Sequence, residues 1–429
     1  MNNNIVYGGK LNKTVPPVEN HKHHKAVFVA LFGIIFLTSG FGVPTFLEGT
    51  MILCGCLFFT LLLALSYMSM RININLLIVT MLLLASILAT TLFHGDEIKQ
   101  FIIYIVYIII AFTISQTLRD DFNIIYVKLF YFLSIFSLIM WVGYLIFPAL
   151  IQMLPIIANE HGRLAYTALF STISSFGNMG LSRNQGIFWE PGAYQTFVNI
   201  AAIIVLFTNH FKEKKLKYTI VFALTIFTTF STTGYIVFCG LVLSYCLSEL
   251  LSSKTTSKYL KYIAILMFIV VVSLAVYSML PQDIQIQLFG KLAIYFNNTD
   301  RISSTSIRVD AFTNGIKAFL DYPLLGCGIT KLSVDGSYTD VIMTCTPVNY
   351  FAFYGLFVGI ICNLGLFMYS KSLIPQNTIA IAVFICLALS IISENYMRDP
   401  IIFTLIFLGL SKSAKNQSND GLKLHENSK

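Results

Sequence analysis

Arg183 and Glu190 stand close together in residues 148–190, a long polar stretch whose second half is dense in glycine and amide side chains. They bracket an aromatic pair that includes Trp189, directly before Pro191. A planar guanidinium can bind a phosphate through two parallel hydrogen bonds, and a carboxylate with a suitably raised pKa can act as a general base. The spacing therefore predicts anion binding and proton transfer, and the indole offers a face for a sugar ring.

Structural interpretations of these residues stay open. Tryptophan is common at membrane interfaces, and Glu190 would be favourable at the positive N-terminus of a helix that begins with Pro191. If Glu190 is functional, it either accepts the proton of an attacking hydroxyl, or it orients an arginine or binds sugar hydroxyls. We favour the first role.

A second polar stretch, residues 281–345, contains Arg308. Ser303 or Ser304 can cap a helix there that ends at Asp321-Tyr322-Pro323, and its apolar face is formed by Val309, Phe312, Ile316 and Phe319. Arg308 lies off this face, beside Ala311 and Gly315, so the pattern predicts room for a phosphate next to the guanidinium. The alternative is an arginine that pairs with Asp310 or lies among lipid headgroups.

The remaining sequence is dominated by apolar runs. A mean hydropathy of +0.76, with 56% hydrophobic and 11% charged residues, is typical of a polytopic membrane protein. Runs long enough to span a bilayer must be helical where lipid surrounds them. We predict an all-α fold of about twelve spans, beginning near Ala26, Gly49, Ile74, Phe101, Ile125, Ala193, Tyr218, Gly234, Tyr259, Thr346, Thr378 and Pro400.

The distribution of basic residues predicts the orientation. Short cytoplasmic loops are enriched in lysine and arginine. With the N-terminus inside, the short outer loops hold only Lys99 and Arg398. The short inner loops would hold Arg71, Arg119, Lys128, Lys212, Lys214, Lys215, Lys217, Lys254, Lys258, Lys261 and Lys371. Both termini are therefore expected in the cytoplasm and both long stretches outside.

These features predict a single membrane domain, residues 26–412, between cytoplasmic tails at 1–25 and 413–429. The net charge of +8 is explained by attraction to the anionic inner leaflet and does not indicate nucleic acid. Cys327 and Cys345 both belong to the second long stretch and could pair in an oxidising compartment, although sequence alone does not establish their distance.

Three segments together resemble the bacterial O-antigen polymerase and ligase superfamily. They are GIFWEPGAY at 186–194, STTG at 231–234, and RVDAFTNGIKAFLDYPLLGCGI at 308–329 followed by TPVN at 346–349. The resemblance covers about residues 160–370 and is greater to the Wzy-type repeat-unit polymerases. Ligases typically carry a histidine where this chain reads Thr346-Pro347-Val348-Asn349, so the ligase branch is disfavoured and no catalytic base is assigned by analogy.

The resemblance implies a metal-independent glycosyltransferase of the membrane-embedded C-type class (GT-C), without a cofactor. Its substrates would be polyprenyl (undecaprenyl) diphosphate-linked oligosaccharides at the outer face of the bacterial inner membrane. Arg183, Glu190 and Arg308 are the catalytic candidates, because fixed cations stabilise a departing diphosphate. The substrate-binding candidates are Arg163, Trp189, Tyr194, Arg301, Lys317 and Asn349.

We therefore expect a polymerase that joins oligosaccharide repeat units en bloc, with inversion at the anomeric carbon if displacement is direct. A chain-length regulator and a flippase of the same pathway are possible partners besides the bilayer. One alternative is an O-antigen or polysaccharide ligase. Another, of a different class, is a lipid-linked oligosaccharide flippase or other transporter, although transporters usually place ionisable groups at mid-membrane.

Overall fold

The structure, a computed structural model, describes residues 21–40, 47–66, 72–119, 121–158, 164–176, 181–252, 304–329 and 344–411. Within these ranges the chain is mainly helical. The helices before the first long loop are α1 (His21–Thr38), α2 (Gly49–Ser66), α3 (Ile74–His94), α4 (Ile98–Leu118) and α5 (Asp121–Ile146). The later ones are α6 (Pro148–Ile151), α7 (Pro191–Phe207), α8 (Lys215–Thr228), α9 (Thr232–Ser252), α10 (Ser304–Asp321), α11 (Thr346–Leu373), α12 (Asn377–Ile392) and α13 (Pro400–Ser411).

Helices of membrane-spanning length confirm the membrane class. Among the described residues, six helices are long and apolar enough to cross a bilayer, namely α2, α3, α4, α5, α9 and α11. The count is seven if α7 and the segment Asn209–Thr228, which meet at a bend of 102°, are taken as one span. Three shorter apolar helices also fall at predicted spans, and the span predicted near Tyr259 lies outside the described residues.

The first long loop contains a four-stranded antiparallel sheet with strand order β1-β2-β3-β4. Its strands are β1 (Ile156–Ala158), β2 (Leu164–Ala168), β3 (Ser171–Phe176) and β4 (Leu181–Gly186). The near-helical spacing of Leu150, Leu154 and Ile157 predicts a helix on the membrane surface, and this prediction is wrong beyond residue 151, where α6 ends. The helical spacing of those residues is outweighed by strand pairing, in which Ile157 lies opposite Ala165.

The sheet is fixed to the helices through β4. The Trp141 indole of α5 donates to the Ser182 carbonyl at 3.0 Å, and the Asn184 amide donates to the hydroxyls of Ser137 and Thr228. These bonds satisfy polar groups that would otherwise be costly to bury. The sheet thus packs against the C-terminal half of α5 and the C-terminal end of α8.

The connections between helices lie at two opposite ends of the bundle, which we call the loop end and the lysine end. The loop end contains the sheet, the turn at residues 95–97, the segment 322–329 and the turn at residues 393–399. Asp96 accepts the Ile329 amide at 2.9 Å, and the Arg398 guanidinium lies 5.4 Å from the Tyr104 ring centroid. These contacts join segments that the sequence predicts on one side of the membrane.

The lysine end contains the other connections. The Asn73 amide donates to Gln116, and the Ser248 hydroxyl donates to Gln376 at 2.8 Å. The Lys215 ammonium donates to the Leu206 carbonyl across the bend between α7 and α8. Because Arg183 of β4 contacts the other end of α8, this helix returns to the loop end.

Helix α7 lies at the centre of the bundle. Every residue from Pro191 to Leu206 is buried, which is typical of a helix surrounded by others. At its N-terminal half, the Phe197 ring stacks on Phe188 at 4.5 Å and on Phe130 at 5.9 Å. This stack fixes the junction between β4 and α7.

The helix predicted from Ser303 or Ser304 to Asp321 is confirmed as α10. The face formed by its small residues, however, is not open to a ligand. Ala311, Gly315 and Ala318 are buried, and a Cβ at Gly315 would lie 2.9 Å from Val348 of α11. The small side chains therefore allow close packing of two helices and do not leave the predicted space. The apolar stripe is instead exposed at Val309, Phe312 and Ile316, as suits a helix that contacts lipid.

The segment after α10 enters a break in α11. At Gly355 the backbone has a φ of +76°, and the Leu356 amide donates to the Pro323 carbonyl at 2.8 Å. The Cys327 amide donates to the Ala352 carbonyl at 2.8 Å. The backbone groups freed by the break are thus satisfied by the inserted segment. The cysteines considered for a disulfide, Cys327 and Cys345, are both buried and are not bonded to each other.

We predict that single cysteines report the two ends of the bundle. Leu169→Cys at the exposed β2–β3 turn should react with a membrane-impermeant maleimide in intact cells. Glu213→Cys at the lysine end should react only after the cells are opened. Labelling of the unsubstituted protein gives the background from its eight cysteines. Reaction of Glu213→Cys in intact cells would reverse the orientation.

We predict that Gly355→Ala destabilises the protein by about 2 kcal/mol or more, because alanine is strained at positive φ and its Cβ would lie 2.1 Å from the Leu324 oxygen. Gly143→Ala is the matched control, since a Cβ at that position would have no atom within 4 Å and its φ is not positive. Thermal unfolding in detergent measures both variants. Equal melting temperatures would contradict the insertion of segment 322–329 into α11.

Candidate functional site

The β4–α7 junction sets the position of Trp189 and Glu190. Glu190 is extended, and its carbonyl accepts the amides of Ala193 and Tyr194 at 3.1 Å, which starts α7. Its side chain makes no cap hydrogen bond. Pro191 occupies the first turn, as the sequence predicts. The Glu190 carboxyl is consequently directed to partners other than its own helix.

One partner of the Glu190 side chain is Glu394, in the turn between α12 and α13. The two side chains are hydrogen-bonded to each other, and the Trp189 side chain is hydrogen-bonded to Glu394 as well. Since the indole nitrogen of tryptophan only donates, Glu394 accepts from Trp189. The absence of a Cβ at Gly192 provides the space, because a Cβ there would lie 2.7 Å from Glu394 Oε1.

The turn that carries Glu394 is fixed by its backbone. The Thr346 hydroxyl of α11 donates to the Glu394 carbonyl at 3.0 Å and accepts the Tyr396 amide at 2.8 Å. On the other side, the hydroxyls of Thr196 and Ser393 lie 3.3 Å apart, and Thr196 donates to the Ser390 carbonyl. Helices α7 and α11 therefore hold Glu394 between them.

The environment of Glu394 favours its neutral form. Burial is the main cause that raises the pKa of this carboxyl to about 8, and the nearby Glu190 raises it further, whereas Arg308 and the Trp189 hydrogen bond lower it. Because this pKa lies above 7, the Glu394 carboxyl is protonated at neutral pH and can donate its hydrogen bond to Glu190. We call Glu190 and Glu394 the carboxyl pair.

Arg308 brings a cation to the carboxyl pair. It lies in the N-terminal part of α10, its Nε donates to the Ser393 carbonyl at 3.4 Å, and its charge acts on Glu394. Segments near residues 190, 308 and 394 thus meet at one site. Two carboxyls, a guanidinium and an indole can together bind a polar, anionic ligand and transfer a proton.

Arg183 has a different environment from Arg308. Its Nε donates to the Thr229 carbonyl at 2.8 Å, and one terminal nitrogen donates to the Phe230 carbonyl at 3.1 Å. Cations are favourable at the C-terminus of a helix, where carbonyls lack helical partners. This arginine therefore joins β4 to the end of α8.

The substrate-binding candidates occupy varied positions. Tyr194 is fully buried and its hydroxyl lies 2.9 Å from the Ser137 hydroxyl. Asn349 is buried and donates to the Thr344 carbonyl at 2.8 Å. Lys317 is exposed on α10. Arg163 and Arg301 lie outside the described residues. Trp189 is the member of this set that contacts the carboxyl pair.

Sequence reasoning missed Glu394. The available signal was its place in the short connection, shared with Arg398, that the basic-residue pattern predicts on the outer side. A carboxylate between two apolar runs is expensive unless it has a partner. That partner is about 200 residues away in the chain, so local spacing did not indicate it.

The geometry limits the chemistry of the carboxyl pair. Carboxyls that act on opposite sides of a glycosidic bond are separated by about 5 to 9.5 Å. Glu190 and Glu394 are in direct hydrogen-bond contact, so they do not enclose a sugar carbon between them. The arrangement favours one reacting carboxylate with a second carboxyl as its proton-sharing neighbour.

Comparisons with known proteins leave the chain without an assigned family. No family profile matches it, and no curated protein matches it significantly.

We predict that Glu394 makes stability depend on pH. Its folded-state pKa of about 8 lies above the usual value near 4.3, so the folded state binds more protons. Its stabilisation should be complete below pH 4 and lost as the pH rises towards 8. Thermal unfolding of Glu394→Gln should show a flatter dependence than the wild type, and the exposed Glu213→Gln should keep the wild-type slope. Identical slopes in all three would show that Glu394 is not protonated in the fold.

Proposed function

We propose that the protein is an oligosaccharide repeat-unit polymerase of an O-antigen or related surface polysaccharide. It would transfer the growing chain from its polyprenyl diphosphate to a lipid-linked repeat unit, at the outer face of the bacterial inner membrane. The proposal includes about twelve spans, a GT-C-like architecture and cytoplasmic termini. The observation that supports it most is the meeting of Glu190, Arg308 and Glu394 beside Trp189.

In the proposed reaction, Glu190 accepts the proton of the acceptor hydroxyl as its oxygen bonds to the anomeric carbon. The bond from that carbon to the diphosphate oxygen breaks, and the electron pair leaves with the diphosphate. Arg308 stabilises the charge that develops on it. Direct displacement inverts the anomeric configuration. Because Arg183 bonds to helix-end carbonyls, we assign it to positioning β4 and not to the diphosphate.

The location of the ionisable groups supports a reaction at the membrane surface over transport across the membrane. Glu190, Arg308 and Glu394 lie at the loop end, in connections or in a helix that is not apolar enough to span. Trp189 is partly exposed beside them, so its ring face suits a sugar. A translocation pathway would instead place charged groups near mid-membrane.

The activity test uses purified full-length protein with a lipid-diphosphate repeat unit alone, in the presence of a chelator and without a nucleotide sugar. A ladder of products differing by one repeat unit is the expected result. Transfer only to a different acceptor would indicate a ligase. Unchanged substrate with transbilayer movement of a labelled lipid would contradict the proposal and indicate a flippase.

We predict that Arg308→Ala lowers the polymerisation rate by a factor of about 100 or more, the usual effect of losing one donor to a developing anion. Arg308→Lys should recover part of the lost rate, because lysine keeps the charge but not the planar fork.

We predict that Glu190→Gln lowers the polymerisation rate by about 100-fold or more while lipid-linked substrate still binds. Lys371→Ala and Glu213→Gln, both at the lysine end, are the charge-matched controls. Normal turnover in Glu190→Gln would exclude this residue as the base.

A further inference from the structure

We infer that the carboxyl pair couples the binding of an anionic diphosphate at Arg308 to the uptake of one proton. The inference rests on the proposed function and assigns a role to Glu394, which the reaction itself does not use. Glu394 is hydrogen-bonded to Trp189 and Glu190, and the Arg308 Nε donates to the carbonyl of the adjacent Ser393 at 3.4 Å. A ligand held by Arg308 therefore approaches both carboxyls.

The charges at the site lead to this coupling. With one proton on the carboxyl pair, its single negative charge is balanced by Arg308. Without that proton, Glu190, Glu394 and Arg308 together carry a net negative charge before any ligand arrives. A diphosphate adds at least two negative charges. It therefore binds more favourably when the carboxyl pair holds a proton than when both carboxyls are ionised. Binding and protonation must then favour each other, because linkage is reciprocal.

The charged and titratable groups around Glu394 come from three segments of the described chain, and a fourth segment contributes a neutral hydroxyl. Glu190 precedes α7, Arg308 belongs to α10, and Tyr396 follows in the same turn as Glu394. From the α11 side, Thr346 bonds to the Glu394 backbone and carries no charge. Arg308 is the one cation that acts on Glu394 among these groups, and a diphosphate would compete with the carboxyl pair for it.

The direction of the pH effect follows from the pKa of Glu394, about 8. Below that pH the carboxyl pair already holds its proton, so binding needs no uptake. Above it, binding must be accompanied by proton uptake, and affinity should fall up to tenfold per pH unit. The ligand does not cause this change, because its last phosphate ionisation, near pH 6, is complete by pH 8.

The experiment is isothermal titration calorimetry of the full-length protein in detergent with farnesyl diphosphate, from pH 7 to pH 9. Repeating the pH 9 titration in two buffers of different ionisation enthalpy gives the number of protons taken up. The wild type should take up close to one proton at pH 9 and close to none at pH 7. Its Kd should rise about tenfold between pH 7 and pH 9, with about a fivefold rise between pH 8 and pH 9.

Glu394→Gln should bind with a Kd that changes less than about threefold over this range and should take up no proton at pH 9. Glu190→Gln removes the second cause that raises the pKa of Glu394 but leaves burial, so the pH dependence should move to lower pH without being abolished. This shift provides a second test if Glu394→Gln does not fold. A wild-type Kd that is constant from pH 7 to pH 9, or an unchanged slope in both variants, would overturn the inference.

If wild type binds farnesyl diphosphate without proton uptake, and Arg308→Ala abolishes that binding, only the coupling is wrong. If wild type binds no farnesyl diphosphate at any pH and forms no polymer, the proposed substrate class is wrong and the coupling falls with it.

Discussion

The arrangement of the loop end depends on the contact between the carboxyls of Glu190 and Glu394. Two adjacent carboxyls that are partly buried repel each other when both are ionised, so their contact requires a shared proton, a nearby cation or both. Here Glu394 keeps its proton because its pKa is raised, and Arg308 is the nearby cation. Since these three residues come from separate parts of the chain, the helices that carry them must be placed accurately relative to each other.

The fold meets this requirement with rigid supports close to the site. Helix α7 is buried along nearly its whole length and is stacked through Phe188 and Phe197, so Glu190 precedes a fixed helix. Helix α10 is fixed to α11 along its small-residue face and, beyond its C-terminal end, by the segment inserted at Gly355. His94 and Asp96 bond to that segment at residues 326–329. A partly exposed ionisable site can therefore stay organised at the edge of a membrane domain.

Sequence periodicity and composition predicted the parts of the fold that depend on local patterns. The membrane class, the positions of the described helices and the start of α10 near Ser304 follow from apolar length and capping residues. The four-stranded sheet was missed, because its short strands carry no clear alternation and are stabilised by pairing with each other and with α5. The small face of α10 was interpreted as space for a ligand because sequence does not show which helix packs on it.

The site was predictable only in part for the same reason. The sequence indicates Glu190 and Trp189 because a carboxylate and an aromatic ring stand together after a glycine-rich stretch, and it indicates Arg308 because small residues lie beside it on its helix. Arg183 belongs to the same glycine-rich stretch, yet its guanidinium bonds to the carbonyls that follow α8, partners that depend on tertiary packing. Glu394 contacts Glu190 because α12 and α13 pack beside α7, and the sequence does not show this packing.

The docking of α10 on α11, which brings Arg308 to the carboxyl pair, can be measured directly by disulfide trapping. A Cβ at residue 315 would lie 3.8 Å from the Cβ of Val348, within the range of a disulfide. Mild oxidation of the double variant Gly315→Cys, Val348→Cys should therefore give an intramolecular cross-link seen on a non-reducing gel. The control Phe312→Cys, Val348→Cys, on the exposed face of α10, should not cross-link. Equal cross-linking of both pairs, or of neither, would contradict this placement of Arg308.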